Sequence, residues 1–490
     1  MANDTWKPGR RDYLEALQDQ NPWQRTGKVP ETLAKPVRRL LAEHLWHTLV
    51  KVPFRYQVVL GPRRVGKTVC MYQTIQELLK KGVAATQLWF LRLDHPLLMH
   101  YELGAWARSL INNYPATVER PLYLFLDEVN YSPRWDKWLK TFYDEQWPVR
   151  VIATSSSTAA LRGRTVESGI GRWSEQFLTP YTFIEFLLLR KTPLDPFVAA
   201  PTLYDTLMNE IRSRIDHTHI NHLLQLYLLV GGFPELLDAL AEDDVEGELF
   251  RSQQILRTEA VQRVAGMDIP QAFDIKNPLM LERLLYILAG QMCGLMNISH
   301  LAQDLELSRA TTHQYINYLE QAYLIFTLPA YSASEESIQR KGKRVYFVDG
   351  AVRNAALQRG TRPMIDPAEW GHLIENAAAA HLYALSLQSG IRLFHWRDRE
   401  IEVDLIYDQP DHPVAFEIAT RPDHSKKGLL ELQRRYPIFR NRCFMISASS
   451  DVFRSPIDTD DGIGHLPLCN FLLVIGNLTR EALYKRLEGS

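Results

Sequence analysis

Cysteine is scarce in this 490-residue chain. The four present, Cys70, Cys293, Cys443 and Cys469, show no C-x-x-C spacing, which excludes a disulfide-stapled scaffold and gives no structural zinc motif. No apolar run approaches the ~20 residues needed to span a bilayer; the runs at 223–230 and 471–475 are far shorter. An excess of one charge is also missing, with 56 Lys and Arg against 57 Asp and Glu. That balance excludes a histone-like or tail-driven nucleic-acid binder and confines any such surface to a local patch. No apolar leader follows the start, and there is no internal repeat or long low-complexity linker. The expectation is a soluble protein of a reducing cytoplasm, without membrane contact.

What is present is length enough for about three domains. An amphipathic stretch at 38–50 carries Leu40, Leu41, Leu45, Trp46 and Leu49 at helical spacing. From Tyr56 short apolar runs (57–60, 87–93, 122–126, 150–154) alternate with helical ones such as 68–79, which predicts a parallel sheet with helices on both faces. Past Thr179 the pattern turns helical (183–189, 203–215, 220–229, 248–264). Near Asn297 two short helices flank a tight turn, and strands return at 345–348, 391–395, 402–407 and 414–418. The α/β multidomain chain thus divides into an N-terminal helical extension (1–50), a parallel-sheet core (51–180), a helical lid (181–280), a helix-turn-helix segment (281–342) and a mixed α/β domain (343–490).

Gly61-Pro62-Arg63-Arg64-Val65-Gly66-Lys67-Thr68 is a complete G-x-x-x-x-G-K-[ST] string between an apolar strand and a helix, the context a P-loop requires. Its glycines let backbone N–H groups wrap a β-phosphate while the helix N-terminus adds positive potential. Lys67 is placed to reach the β- and γ-phosphates and Thr68 to hold Mg²⁺. A second apolar strand ends in Asp127 and Glu128. Buried on both faces, it exposes only its carboxyl end, so Asp127 is expected on Mg²⁺ through water and Glu128 on the attacking water. A third strand delivers Thr154, Ser155 and Ser156 as candidate γ-phosphate sensors. Arg162, Arg164 and Arg172 are candidates for an arginine finger, acting in cis or from a second copy of the chain. ATP and Mg²⁺ are the expected cofactors.

These strings, with Leu126-Asp-Glu-Val, Gly171-Arg172 and the LTPYTFIEF run at 178–186, resemble the prokaryotic AAA+-type P-loop ATPases that carry a C-terminal domain of unknown function, a branch related to archaeal ATPase and STAND-like proteins. The resemblance continues through Gly231-Gly-Phe-Pro-Glu235, 298–326, 346–349, Glu375-Asn376, Trp396-Arg-Asp398 and Glu402-Val-Asp404, nearly the whole chain from Tyr56. It implies an ATPase core with Walker A and Walker B elements, a winged helix and a terminal fold of the PD-(D/E)xK nuclease kind. Two positions depart from the family: its T-G-S reads Thr154-Ser155-Ser156, and its Glu-x-Lys reads Glu417-Ile418-Ala419.

In the helix-turn-helix segment, Leu301, Ala302 and Leu305 make one apolar face and Leu307-Ser308 the turn. Arg309, Thr312, His313, Gln314 and Asn317 are expected on or near the open face of the second helix. Only Arg309 among these is firmly cationic, Asp304 and Glu306 are nearby, and Lys341, Lys343 and Arg344 form the best basic patch. A DNA reader and a protein-packing module both stay open. Farther on, Glu375 on a helix with Asp404 and Glu417 on neighbouring strands could bind Mg²⁺ for phosphodiester cleavage, a lysine two residues later orienting water. Ala419 stands at that place, and Lys426 or Lys427 is the nearest substitute. The expected function is Mg²⁺-dependent ATP binding and hydrolysis driving a switch or motor on DNA, RNA or a protein partner, with a homo-oligomer as a candidate state. The alternatives are an ATP-gated nuclease effector, as in anti-phage defence, and a nucleotide-sensing DNA-binding regulator or scaffold.

Overall fold

The computed structural model describes residues 10–51, 54–99, 101–155, 171–234, 237, 245–273, 275, 277–419, 424–448 and 461–489. They fall into two compact units: 1–62 with 66–178 and 484–490, and 63–65 with 179–483.

The first unit is built on five strands, β1 (Tyr56–Leu60), β2 (Leu88–Arg92), β3 (Leu122–Asp127), β4 (Val149–Ser155) and β5 (Trp173–Phe177). They run parallel in the order β2-β3-β4-β1-β5. β1, β3 and β4 are buried along their whole length, which is why they read as unbroken apolar runs. β5 has no such signature. It is an edge strand with only Gln176 buried, and the Gln176 amide donates to Gln57 Oε1 at 2.9 Å.

The opposite edge, β2, would offer free backbone groups to any other strand. Side chains of the N-terminal extension cover it. Asn21 donates through Nδ2 to Phe90 O at 2.8 Å and accepts from Phe90 N at 2.6 Å. Gln20 Oε1 accepts from Arg92 N at 2.8 Å, and Trp23 Nε1 and Gln24 Nε2 donate to Leu88 O at 3.0 and 2.8 Å. Side chains thus stand in for a sixth strand.

The second unit begins with helices Phe183–Leu189, Leu203–Ser213, Asn221–Val230, Val245–Leu256 and Pro278–Gly290. Where the pattern predicts one helix over 248–264, the α-helix stops at Leu256 and the chain continues in π-helical turns, Arg257–Gln262 and Val264–Asp268. Helices Ile298–Asp304 and Arg309–Gln321 follow, capped by the Asn297 and Ser308 side chains, as such residues do. An antiparallel pair, β6 (Ile325–Leu328) and β7 (Arg344–Phe347), comes next. The boundary expected at 342/343 therefore separates two strands of one hairpin. After the long helix Pro367–Ser389 comes a mixed sheet of β8 (Leu393–Asp398), β9 (Ile401–Tyr407), β10 (Val414–Ala419), β11 (Cys443–Ser447) and β12 (Ile463–Pro467), in the order β12-β11-β10-β9-β8. β8, β9 and β10 are antiparallel, whereas β10, β11 and β12 are parallel.

Two motifs with no obvious chemistry meet inside this unit. Asp349 accepts from Gly232 N and Ala351 N, each at 2.7 Å. Gly231 has φ 69°, and a Cβ there would lie 1.9 Å from Asp349 Oδ1. Only glycine fits both the backbone and the space. Tyr181 N donates to Gly232 O at 2.8 Å. Glu235 of the same motif lies outside the described residues.

Candidate functional site

The first unit brings its polar groups together at the carboxyl ends of three adjacent strands, because parallel strands emerge side by side there. Leu60, the last residue of β1, lies in register with Ser155 of β4, and Leu126 of β3 with Ala153. The loop leaving β1 turns through Gly61 at φ 153° and Gly66 at φ 93°, and Gly66 caps the helix Lys67–Lys80. Val65 is buried. Lys67 is buried too, and its Nζ donates to Gly61 O and Pro62 O, both at 2.9 Å. Loop carbonyls thus hold the ammonium at the P-loop.

Thr68 Oγ1 donates to Asp127, 2.9 Å from Oδ2 and 3.2 Å from Oδ1. Thr154 Oγ1 donates to Asp127 Oδ1 at 2.6 Å and accepts from Glu128 N at 3.0 Å. Glu128 has φ 53°, a left-handed conformation uncommon for a non-glycine residue and costly enough to mark functional sites. Burial pushes the Asp127 carboxyl above its ordinary value, against the hydrogen bonds of Thr154 and Thr68 and the charge of Lys67. The result is a buried carboxylate between two hydroxyls and an amine, an oxygen-rich set suited to a hard divalent cation.

Thr154, placed in sequence as a phosphate sensor, here bonds to the Asp127 carboxylate and to the Glu128 backbone N–H. Ser155 Oγ donates to Asn130 Oδ1 at 3.4 Å, and no motif pointed to Asn130. Ser156, Arg162 and Arg164 lie outside the described residues. Arg172 does not join the site. It precedes β5 at the end where Tyr56 pairs with Trp173, while the P-loop follows the end where Leu60 pairs with Phe177. Four residues of strand separate the two, about 13 Å at ~3.3 Å per residue. Its guanidinium is held by Asp144 in a fork, Nε to Oδ1 at 2.7 Å and Nη2 to Oδ2 at 3.0 Å.

In the second unit, helix Arg309–Gln321 leaves Arg309, His313, Gln314 and Asn317 exposed, and Lys341 and Lys343 are exposed before β7. Thr312 is not on that face. It is fully buried, its hydroxyl donating to Ser308 O at 3.0 Å, because the i−4 carbonyl captures it. Glu375, Asp404 and Glu417 do come together, around a residue that the spacing put in a surface patch. Buried Arg344 reaches Asp404 Oδ1 at 2.9 Å, Glu375 Oε1 at 3.4 Å and Glu402 Oε2 at 2.7 Å. Tyr346 OH donates to Glu375 at 2.8 Å and Ile418 N to Asp404 Oδ2 at 2.9 Å. Glu417 Oε1 lies 2.9 Å from His424 Nε2. Burial, reinforced by the Asp404 charge, raises Glu417 to about 8 and lifts Glu375 well above the carboxylate range. Lys426 donates to Asp461 at 2.8 Å, and Lys427 begins the helix Lys427–Arg435. Among the described residues, no group of three His, Cys, Asp or Glu side chains is arranged to hold a metal ion, and no helix is long and apolar enough to cross a membrane.

Residues 54–187 match the family model described as an AAA domain, while 221–362 and 370–463 match two domains of unknown function, DUF8612 and DUF4143. An uncharacterised protein of Methanocaldococcus jannaschii, MJ1637, is 25% identical over 430 residues, 85% of this chain and 84% of its own. An uncharacterised protein of Haemophilus influenzae is 21% identical, over 78% of this chain and 87% of its own. Among solved structures, the Walker-type ATPase PABY2304 of Pyrococcus abyssi is 14% identical over 66% of this chain and 97% of its own, with a TM-score of 0.40. The Aeropyrum pernix ORC1 protein in complex with DNA is 15% identical over 71% and 98%, with a TM-score of 0.27. The P-loop and the parallel sheet behind it lie within the stretch, 54–187, that matches the AAA domain.

Proposed function

We propose that the chain binds ATP with Mg²⁺ at 61–68 and hydrolyses it, and that turnover drives a switch or motor acting on nucleic acid or a partner protein. The observation that carries this reading is the Thr68 hydroxyl 2.9 Å from the buried Asp127 carboxylate, beside a P-loop whose lysine amine is gathered over the loop. Thr68 and Asp127 would hold Mg²⁺, which supplies charge neutralisation between phosphates. Lys67 exchanges its two loop carbonyls for phosphate oxygens, and the N–H groups leading into Lys67–Lys80 receive the β-phosphate. Glu128 orients the attacking water and accepts its proton. Thr154 fixes the Asp127 carboxylate and the backbone from which Glu128 projects.

Phosphate release in Mg²⁺ tests the site. Lys67→Ala is expected to abolish nucleotide binding, and Glu128→Gln to keep binding while slowing release. Turnover that persists in Lys67→Ala refutes the assignment. Nucleic acid is favoured as the target by the open face carrying Arg309, Gln314 and Asn317 with Lys341 and Lys343 close in sequence to β7. Replacing Arg309, Lys341 and Lys343 by alanine should weaken duplex binding and reduce its salt slope by ~1 for each phosphate no longer neutralised. Unchanged anisotropy would turn the reading toward a protein partner.

A further inference from the structure

We infer that Arg344 is the resident cation of the carboxylate cluster formed by Glu375, Glu402 and Asp404, and that it closes this cluster to divalent metal. The three acids come from a helix and from β9, and the guanidinium arrives from β7, a strand of a different sheet. Arg344 exposes 7% of its side chain and lies within 2.7 to 3.4 Å of all three. A planar guanidinium with five donors suits such a multi-acid seat better than an ammonium does.

The oxygens that face the centre of the cluster are already engaged. Asp404 gives one oxygen to Arg344 and the other to Ile418 N. Glu375 Oε1 is shared by Tyr346 and Arg344. Mg²⁺ demands six oxygens near 2.0–2.1 Å in octahedral array, and a guanidinium has no lone pair to offer as one of them. Ala419, where cleavage chemistry calls for a lysine, is buried in an apolar cluster with Trp396, Val403 and Leu429, so packing has replaced the charge on that strand. On the neighbouring strand, Glu417 Oε2 is buried with no hydrogen-bond partner among the described residues. The guanidinium occupies the place between the acids where a metal would have to sit, and its positive charge opposes a second cation there. The C-terminal sheet therefore carries a carboxylate cluster centred on an internal guanidinium and independent of metal, whatever the P-loop does.

Mn²⁺ binding to the full chain tests this, read from the paramagnetic signal of free Mn²⁺ without nucleotide. Thr68→Ala is present throughout to remove the P-loop contribution, which separates this result from failure of the ATPase reading. With Arg344 intact, no Mn²⁺ binding at millimolar metal should be attributable to the cluster, so adding Asp404→Asn changes nothing. Arg344→Met should gain one bound Mn²⁺ that Asp404→Asn removes. The inference is overturned if the Arg344-intact protein binds an Mn²⁺ that Asp404→Asn abolishes, or if folded Arg344→Met binds none. Should Arg344→Met fail to fold, the Arg344-intact comparison with and without Asp404→Asn decides alone.

Discussion

Thr154→Val is the sharpest probe of the nucleotide site, because one hydroxyl holds the Asp127 carboxylate and the backbone of Glu128. Valine keeps the branched shape but deletes the donor 2.6 Å from Asp127 Oδ1 and the acceptor 3.0 Å from Glu128 N. A hydrogen bond to a charged group contributes ~1.5–3 kcal/mol, and an ordinary one, as from the half-buried Glu128 N–H, ~0.5–1.5 kcal/mol. If ~2 kcal/mol of this is felt in the transition state, kcat for ATP falls ~30-fold. Lys67 and the loop glycines are untouched, so ATP affinity should hold within about threefold, equivalent to ~0.7 kcal/mol. The acid limb moves as well. Burial already raises Asp127, and the Thr154 bond works against it. Losing that bond raises the carboxyl further, so the pH at which activity falls off on the acid side shifts upward. Steady-state phosphate release across pH, paired with equilibrium nucleotide binding, measures all three quantities. An unchanged kcat, or an ATP affinity that falls in step with kcat, refutes the idea that Thr154 positions the acids.

Asn21→Ala strips both hydrogen bonds that Phe90 makes to the extension, and two stranded buried backbone groups should cost ~2–4 kcal/mol in urea unfolding, with faster aggregation through the β2 edge. Arg172→Ala should leave kcat within about twofold, since loss of a working arginine finger costs ~10³ or more; a collapse in turnover would restore Arg172 to the catalytic machinery. Burial raises Asp349 from 3.8 to about 6. The folded state then holds the proton more tightly, and stability from this group is full below pH ~4 and lost as pH rises through 6, on the order of 3 kcal/mol in all. Asp349→Asn should flatten that slope, and an unaltered urea midpoint profile between pH 4 and 7 would contradict it.

The parts of the fold legible in sequence are those where one force dominates. β1, β3 and β4 are wholly buried, so hydrophobicity alone marks them, and the P-loop is a local string whose chemistry tolerates little variation. β5 was hidden because an edge strand with half-exposed residues, WSEQF, carries no apolar signature. β12 was hidden because Gly464 and Pro467 read as turn residues, although the strand pairs parallel to β11 through both. Arg344 shows the limit most plainly. Beside Lys341 and Lys343 it looks like one more surface cation, and β7 turns it inward while its neighbours stay out. Its position at the start of a Val-Tyr-Phe strand was the available signal, since such a residue takes one face of the pleat. Its three partners lie 31 to 60 residues away, beyond the reach of any local pattern.

The two carboxylate sites differ less in their acids than in what donates to them. Asp127 is held by the hydroxyls of Thr68 and Thr154. A hydroxyl that donates to a carboxylate can rotate, give up that bond and present a lone pair to a cation, so the Thr68 hydroxyl stands where a metal ligand would be. Asp404 is held by a guanidinium and a backbone N–H. Neither group has a lone pair to offer, and admitting a metal requires displacing a buried guanidinium from Asp404, where breaking a buried pair typically costs ~3–5 kcal/mol. The first arrangement can exchange its hydrogen bonds for metal ligation at little cost, and the second cannot. Acid residues alone do not therefore identify a metal site; the lone pairs of the groups that neutralise them decide it.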